Sequence, residues 1–147
     1  MSSELKEKRN NKIFYHLIYC SLKIHNFKEL LVWQKAMDLA VFTYQLTGFF
    51  PKEEKYGLIS QIQRCAVSIP SNIAEGSGRV STKEFQHFIS IALGSSFELE
   101  TQVILAFRFG YISKDQMGEF DLLVRPVQKM SYGLYDSLEK NNKLMQV

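Results

Sequence analysis

The sequence is poor in the residues that build most metal and covalent sites. Two cysteines, Cys20 and Cys65, and three histidines, His16, His25 and His87, are spread over 147 residues. No C-x-x-C occurs, which argues against a zinc ribbon or a dithiol redox motif and for two free thiols in a reducing compartment. Only three prolines and eight glycines interrupt the chain, so long elements are expected. No run of 18 or more apolar residues is present, so no membrane-spanning helix is expected. The body also lacks a surplus of charge. Net charge is +3, but residues 1–27 carry five basic side chains (Lys6, Lys8, Arg9, Lys12, Lys23) against two acidic ones (Glu4, Glu7). The remainder holds 13 of each sign. A domain built to bind nucleic acid usually shows a basic excess, and this one is balanced.

What is present suits one packed domain. Hydrophobic residues make up 46% and aromatics 13% of the chain, too apolar for a disordered polypeptide and ample for a single core at this length. Residues 1–26 form a leader without clean periodicity, a loosely attached arm or a marginal helix. Its segment Ile13–Ile24, behind Lys8, Arg9 and Lys12, resembles a weak signal-peptide core. Tyr15, His16 and Tyr19 interrupt it, however, and no Ala-x-Ala-like cleavage site follows, so a cytoplasmic protein is expected.

From Phe27 onward the spacing is helical. The first helix is expected from Glu29 to Thr47, with Leu30, Trp33, Met37, Ala40, Val41, Tyr44 and Leu46 as apolar positions. Leu31, Val32, Leu39 and Phe42 widen that stripe beyond one face, which requires contacts on most sides. Gly48 and Pro51 end it. The second helix is expected to begin near Pro51-Lys-Glu-Glu54, with proline in the first turn and acids at the positive end of the dipole. Ile59, Ile62, Ala66, Ile69 and Ile73 follow as an a/d seam, Pro70 predicts a local bend, and Gly76 and Gly78 end the helix. The third opens on the capping box Ser81-x-x-Glu84, with a seam of Phe85, Ile89, Ala92, Ser96, Leu99, Val103 and Ala106. The seam is small in the middle, at Ala92 and Ser96 with Gly94 and Ser95 adjacent, which predicts a close backbone approach. The fourth opens on Ser113-x-x-Gln116 and carries Phe120, Leu123, Val127, Met130, Leu134 and Leu138, with a bend expected at Pro126. Loops near 48–51, 77–81 and 109–113 are short, which forces consecutive helices antiparallel. The expected fold is all-α, an up-down-up-down four-helix bundle over residues 27–140 with a polar, frayed tail at 141–147. A second apolar stripe on the third helix (Phe88, Leu93, Phe97, Ile104, Phe107) implies a subunit interface in addition to the core.

Reaction chemistry finds little support. Glu84-Phe-Gln-His87 has the Glu-x-x-His spacing of bundle di-iron sites, but the other histidines lie in the leader and Glu84 is claimed by the capping box. Glu98 and Glu100 are two apart on a helix and point in different directions. Cys65, Ser68, Ser71, Ser95 and Ser96 lack a nucleophile elbow or a neighbouring base, and Gly76-Ser-Gly78 is too short for a phosphate cradle. No catalytic residue, metal, cofactor or small-molecule substrate is expected. Arg64, Arg79 and Lys83 fall near one turn of the bundle and could form a patch for RNA or a partner. Arg108, Arg125 and Lys129 are further basic candidates, and scattered solvated charge is the alternative.

The pattern from Phe27 is also specific. Phe27-x-x-Leu-x-Val-Trp33-Gln-Lys-Ala36 is followed by Phe50-Pro-x-Glu-x-x-Tyr56-Gly-Leu-x-x-Gln-Ile-x-Arg64. Then come Ser68-Ile-Pro-Ser-Asn-Ile-Ala-Glu-Gly76-x-Gly78-Arg79, Glu84-Phe85 and Ile91-Ala-x-Gly-Ser95-x-x-Glu98-Leu-Glu100. Over residues 27–140 this resembles the four-helix-bundle family encoded in intervening sequences of bacterial 23S ribosomal RNA genes. It is also similar to the accessory variability determinant of diversity-generating retroelements. The resemblance implies a left-handed antiparallel bundle, a ring-shaped homopentamer and no catalytic residues. For the retroelement relatives it implies a basic surface that contacts a reverse transcriptase and RNA, which the balanced charge of this body fits poorly. Cys65 stands where relatives usually carry alanine, and the leader departs from the pattern. The motif positions Trp33, Pro70, Ser71, Asn72, Glu75, Gly76, Gly78, Arg79, Gly94, Ser95 and Glu98 are either architectural or a binding site. On the architectural reading Pro70 bends the helix, Ser71 and Asn72 bond the freed carbonyls, Glu75 and Arg79 pair at i,i+4, and the glycines turn the chain. The expected role is an oligomeric accessory module for RNA or an RNA-processing protein; the alternative is a purely structural self-assembling protein without a nucleic-acid partner.

Overall fold

Apolar residues at alternating spacings of three and four close onto one another as four helices in the computed structural model, which describes residues 26–146. These are α1 (Leu31–Thr47), α2 (Leu58–Ser77), α3 (Thr82–Arg108) and α4 (Lys114–Leu144), with 3-10 turns at Phe27–Glu29 and Lys52–Tyr56. The expectations for the leader through residue 25, with Cys20, His16, His25 and the Ile13–Ile24 segment, lie outside the described residues.

Side-chain contacts set the helix directions. Gln63 Nε2 donates to Thr47 Oγ1 at 3.0 Å, joining the end of α1 to the start of α2. The hydroxyls of Ser68 and Ser95 meet at 3.0 Å between α2 and α3. Gln128 Nε2 donates to Glu100 Oε2 at 2.7 Å, and Asn142 Nδ2 to Gln86 Oε1 at 3.2 Å, so α4 descends along α3. α1 packs on α4 as well as on α2, which closes the bundle around one core. Leu39, Ile62, Ile69, Ile73, Ile89, Leu99, Val103 and Phe120 are fully buried there, and each contributes about 1.5–3 kcal/mol by leaving water. Both expected capping boxes form: Ser81 Oγ accepts from Glu84 N at 3.1 Å and Ser113 Oγ from Gln116 N at 3.1 Å, while each partner side chain returns a bond to the cap N–H.

Several expectations are corrected. α2 begins at Leu58, not at Pro51. Residues 52–56 wind as a 3-10 turn, and Glu54 Oε2 accepts the Leu58 N–H at 3.0 Å, so a carboxylate caps the helix from four residues upstream. A Cβ on Gly57 would lie 2.7 Å from that oxygen, so a larger residue would move the Glu54 side chain off its cap. α2 continues as one helix past buried Pro70 to Ser77, as the expected local bend allows. Asn72 Nδ2 does reach back, but to the Ser68 carbonyl at 2.7 Å and not to that of Ala66, the one a proline at 70 frees. The last helix runs through Leu144 with i,i+4 pairs Lys140–Asp136 and Lys143–Glu139, past the expected edge at 140. By length and composition α3 is long and apolar enough to cross a membrane, although no 18-residue apolar run was present. It packs against α2 on one side and α4 on the other, and the wide apolar sector serves both contacts.

Candidate functional site

The wide stripe of α1 divides into two faces. Val32, Ala36, Leu39, Thr43 and Leu46 are buried in the core, whereas Met37, Val41 and Tyr44 are exposed. Of the positions emphasised by the sequence pattern, these three face outward, Leu30, Trp33 and Ala40 are half-buried against the core, and Leu46 is inside. The outward residues face a matching strip of α2, and the two helices form an apolar groove. Its first depression, about 350 Å³, is lined by Trp33, Met37, Ala40, Val41, Val67 and Pro70. Val67 also borders a second of about 630 Å³, where Tyr44, Tyr56 and Ile59 meet Lys55 and Arg64. Val41 and Val67 are 57% and 45% exposed, values that a lone aliphatic residue tolerates but that are uneconomical along a continuous strip. Phe27 packs edge-on against Trp33 with ring centroids 5.2 Å apart, fixing the indole at one end of the groove.

The three basic candidates do not come together. Arg79 and Lys83 line one depression with Ser81, Glu84, His87 and Phe88. Arg64 lies 15 residues before Arg79, about 20 Å away along α2, in the groove. Arg79 is already engaged: its Nη2 meets Glu75 Oε1 at 2.8 Å, and its guanidinium stacks 4.7 Å from the Phe88 ring centroid. The i,i+4 pair expected from the sequence is thus present, on the surface, where such pairs contribute little stability.

Some of the motif residues lie where α2 meets its neighbours. Gly76 meets α3 at the closest approach: a Cβ there would lie 2.6 Å from Phe88 Cβ and 2.9 Å from Phe85 Cδ2. Gly78 donates its N–H to the Ala74 and Glu75 carbonyls at the turn. Ser68, Asn72 and Ser95 form a small hydrogen-bonded strip between α2 and α3. Pro70 and Ser71 line the groove beside Trp33. Gly94 is the exception. It was expected at a close approach, yet it is exposed and a Cβ there would meet nothing within 4 Å; its side of α3 faces outward, and Gly76 supplies the contact instead.

Several candidate reactive groups are tied into contacts within the bundle. Cys65 is a free, buried thiol. Burial foremost, then hydrogen bonding to Glu98 and its negative charge, push the thiol up to about 11, against smaller opposing effects of Gln102 and Arg64. Glu98 also accepts from Gln102 Nε2 at 3.4 Å. Glu100, whose side chain is 14% exposed, is held by Arg125 at 3.1 Å and by Gln128. Glu84 is occupied by the capping box next to His87. Among the described residues no three histidine, cysteine or carboxylate side chains cluster as a metal site would need. Glu54, expected only as an acid at the positive end of α2, has a second partner in Tyr111, which lies 57 residues away.

No curated protein sequence matches the chain. The model of the family described as 23S rRNA-intervening sequence protein matches residues 28–133. Among solved structures, one similar to this chain is a protein of unknown function from the S23 ribosomal protein family of Bacteroides thetaiotaomicron VPI-5482. It superposes with a TM-score of 0.67 at 27% identity, covering 72% of this chain and 96% of that one.

Proposed function

This chain belongs to the 23S rRNA-intervening sequence protein family, and from that premise we propose that it is a non-catalytic scaffold that assembles from copies of itself. The observation that carries this reading is the α1–α2 groove, an apolar strip from Trp33 to Tyr44 with its α2 wall at Ile59, Val67 and Pro70. Strips of this kind on soluble domains mark association surfaces. A closed ring of five copies is the assembly that the resemblance implies, and one repeated contact suffices to close a ring. The carboxylates support a structural role, since Glu54, Glu84 and Glu100 are each tied into caps or clamps. A protonated, buried Cys65 thiol fits a reducing cytoplasm. Light scattering of the full chain at micromolar concentration tests the reading: a mass of several copies, five for the ring, is expected, and a lone protomer removes it.

A second reading, contact with RNA or with an RNA-processing protein such as a reverse transcriptase, draws on Arg79 and Lys83 beside the α3 N-terminus. A ring would repeat that pair in every copy, so weak phosphate contacts would add through multivalency. Binding of single-stranded RNA at increasing salt checks it. Affinity should fall with salt and weaken in an Arg79→Ala, Lys83→Ala variant. A flat salt response leaves the purely structural assembly.

A further inference from the structure

We propose that the apolar segment Ile13–Ile24 seats on its own bundle, at the end where α1 begins and α4 ends. The seat is a crevice of about 280 Å³ lined by Leu30, Val80, Phe85 and Leu138, with Ser81 and Ser137 among its polar residues. This contact lies within one chain and does not depend on the self-association proposed above. Uneven helix lengths create the crevice. Leu30, the residue before α1, lines it together with Leu134 and Leu138. α4 runs on from Leu138 to Leu144, about 9 Å further, whereas α1 starts only at Leu31. The seam of α4 shows the consequence. Leu134, Leu138, Asn141 and Met145 follow at spacings of four, three and four and share one face. Leu138 is 7% exposed on that line, but Met145 is 79% exposed. Val80, on the turn between α2 and α3, is 94% exposed. Apolar surface at this end of the bundle is thus left for something else to cover.

The chain itself supplies the cover. The described residues begin at Asn26, whose side chain caps the Phe27–Glu29 turn just before Leu30. Ile24 stands two residues ahead of Asn26, so the segment is joined directly to the edge of its seat. A joined segment competes at an effective concentration on the order of millimolar. A free peptide or a second copy at micromolar concentration is at a disadvantage of about a thousandfold. Composition agrees with this occupant. Ile13, Phe14, Leu17, Ile18 and Leu22 offer apolar cover, and Tyr15 and Tyr19 carry hydroxyls that suit a rim with Ser81 and Ser137. The polar interruptions that spoil the segment as a signal-peptide core fit a crevice that is itself partly polar. The charged residue in the lining, Arg79, is already held by Glu75, so seating an apolar segment strands no unpaired charge.

Limited trypsin digestion of the full chain tests the contact, because Lys23 lies inside the segment. Cleavage after Lys23 should be about tenfold slower, or more, than in a synthetic peptide of residues 13–27, since a seated bond is cut only from its open state. The slowing should be equal at nanomolar and micromolar protein, as a contact within one chain requires. Two variants separate segment from seat. Leu17→Asp with Ile18→Asp changes the segment, and Val80→Glu changes the crevice at an exposed site, so that the bundle itself is retained. Both should keep the wild-type helicity by circular dichroism and bring cleavage after Lys23 toward the peptide rate. Cleavage of the wild type at the peptide rate overturns the proposal. Protection that fades on dilution overturns it as well, because the cover then comes from a second copy. Protection that survives Val80→Glu excludes the crevice as the seat, whatever the segment variant does.

Discussion

The hydroxyl of Tyr111 donates to Glu54 Oε1 at 2.9 Å, tying the turn before α2 to the turn before α4. The same carboxylate uses Oε2 to cap α2 at Leu58, so one side chain fixes two chain reversals at one end of the bundle. Tyr111 is further held between Phe50 and Phe109, with ring centroids 5.5 and 5.6 Å away. The hydrogen bond to Glu54 foremost, with desolvation and the charges of Glu54 and Glu53, raises the Tyr111 pKa above 10. A raised folded value favours the neutral phenol. Its contribution to stability is therefore present below pH 10 and is lost as pH rises through the folded value.

Glu54→Ala removes the cap of α2 and the partner of Tyr111 together. The loss of a helix cap alone costs about 1 kcal/mol, and thermal or urea unfolding at neutral pH should show at least that decrease. Tyr111→Phe retains the ring packing and the cap, so its effect should be smaller than that of Glu54→Ala. It should also reduce the share of stability that wild type loses above pH 10. Equal losses in the two variants at neutral pH would deny Glu54 its role as a cap.

Gly76 and Gly133 are both helical glycines, but they should respond to alanine with opposite signs. At Gly76 the new methyl would meet Phe88 Cβ at 2.6 Å, Phe85 Cδ2 at 2.9 Å and the Phe85 carbonyl at 3.3 Å. A Cβ and a backbone oxygen cannot swing away as a side-chain tip can, so α2 and α3 must separate, at a cost of about 1–3 kcal/mol. At Gly133 nothing lies within 4 Å, and alanine should stabilise α4 by up to about 1 kcal/mol through helix propensity alone. Denaturant unfolding measures both, and a neutral Gly76→Ala would mean that the helices are not pressed together there.

These cases also separate what the sequence reveals from what it hides. The seams of α2 and α3 were legible because their period is local: Ile62, Ala66, Ile69 and Ile73, then Ile89, Ala92, Ser96 and Leu99, are fully buried at the positions their spacing marks. Capping boxes were legible for the same reason, since each spans only four residues. The start of α2 was not, because its cap depends on Glu54, whose other oxygen is engaged by Tyr111, remote in sequence. Nor could residue type alone tell Gly76 from Gly94, since both are glycines inside helices and only the neighbouring helix distinguishes a contact from open space. α1 is apolar over so wide an arc that periodicity does not separate core from outer face. Arg64 and Arg79 share charge and a helix, but the roughly 20 Å of α2 between them keeps them apart.

Cys65 offers a chemical test of the α2–α3 contact. Its thiol is pushed up to about 11 by burial and by Glu98, so the folded protein holds the neutral thiol past the ordinary value of 9.0. The linked stability is fully present below pH 9 and is lost as pH rises toward 11. Reactivity should follow the same shift, because the thiolate is the nucleophile. At pH 8 a thiol with the ordinary value is about 10% ionised, whereas one near 11 is about 0.1% ionised. Alkylation of Cys65 by iodoacetamide, followed in a Cys20→Ser background, should therefore be roughly 100-fold slower than in urea-unfolded protein at the same pH. Replacing Glu98 by Gln should recover part of that difference, since it removes the negative charge but leaves burial, the larger cause, in place. A Cys65 that alkylates at the unfolded rate would show that α2 and α3 part readily at this point, and the strip linking Ser68, Asn72 and Ser95 would open with them.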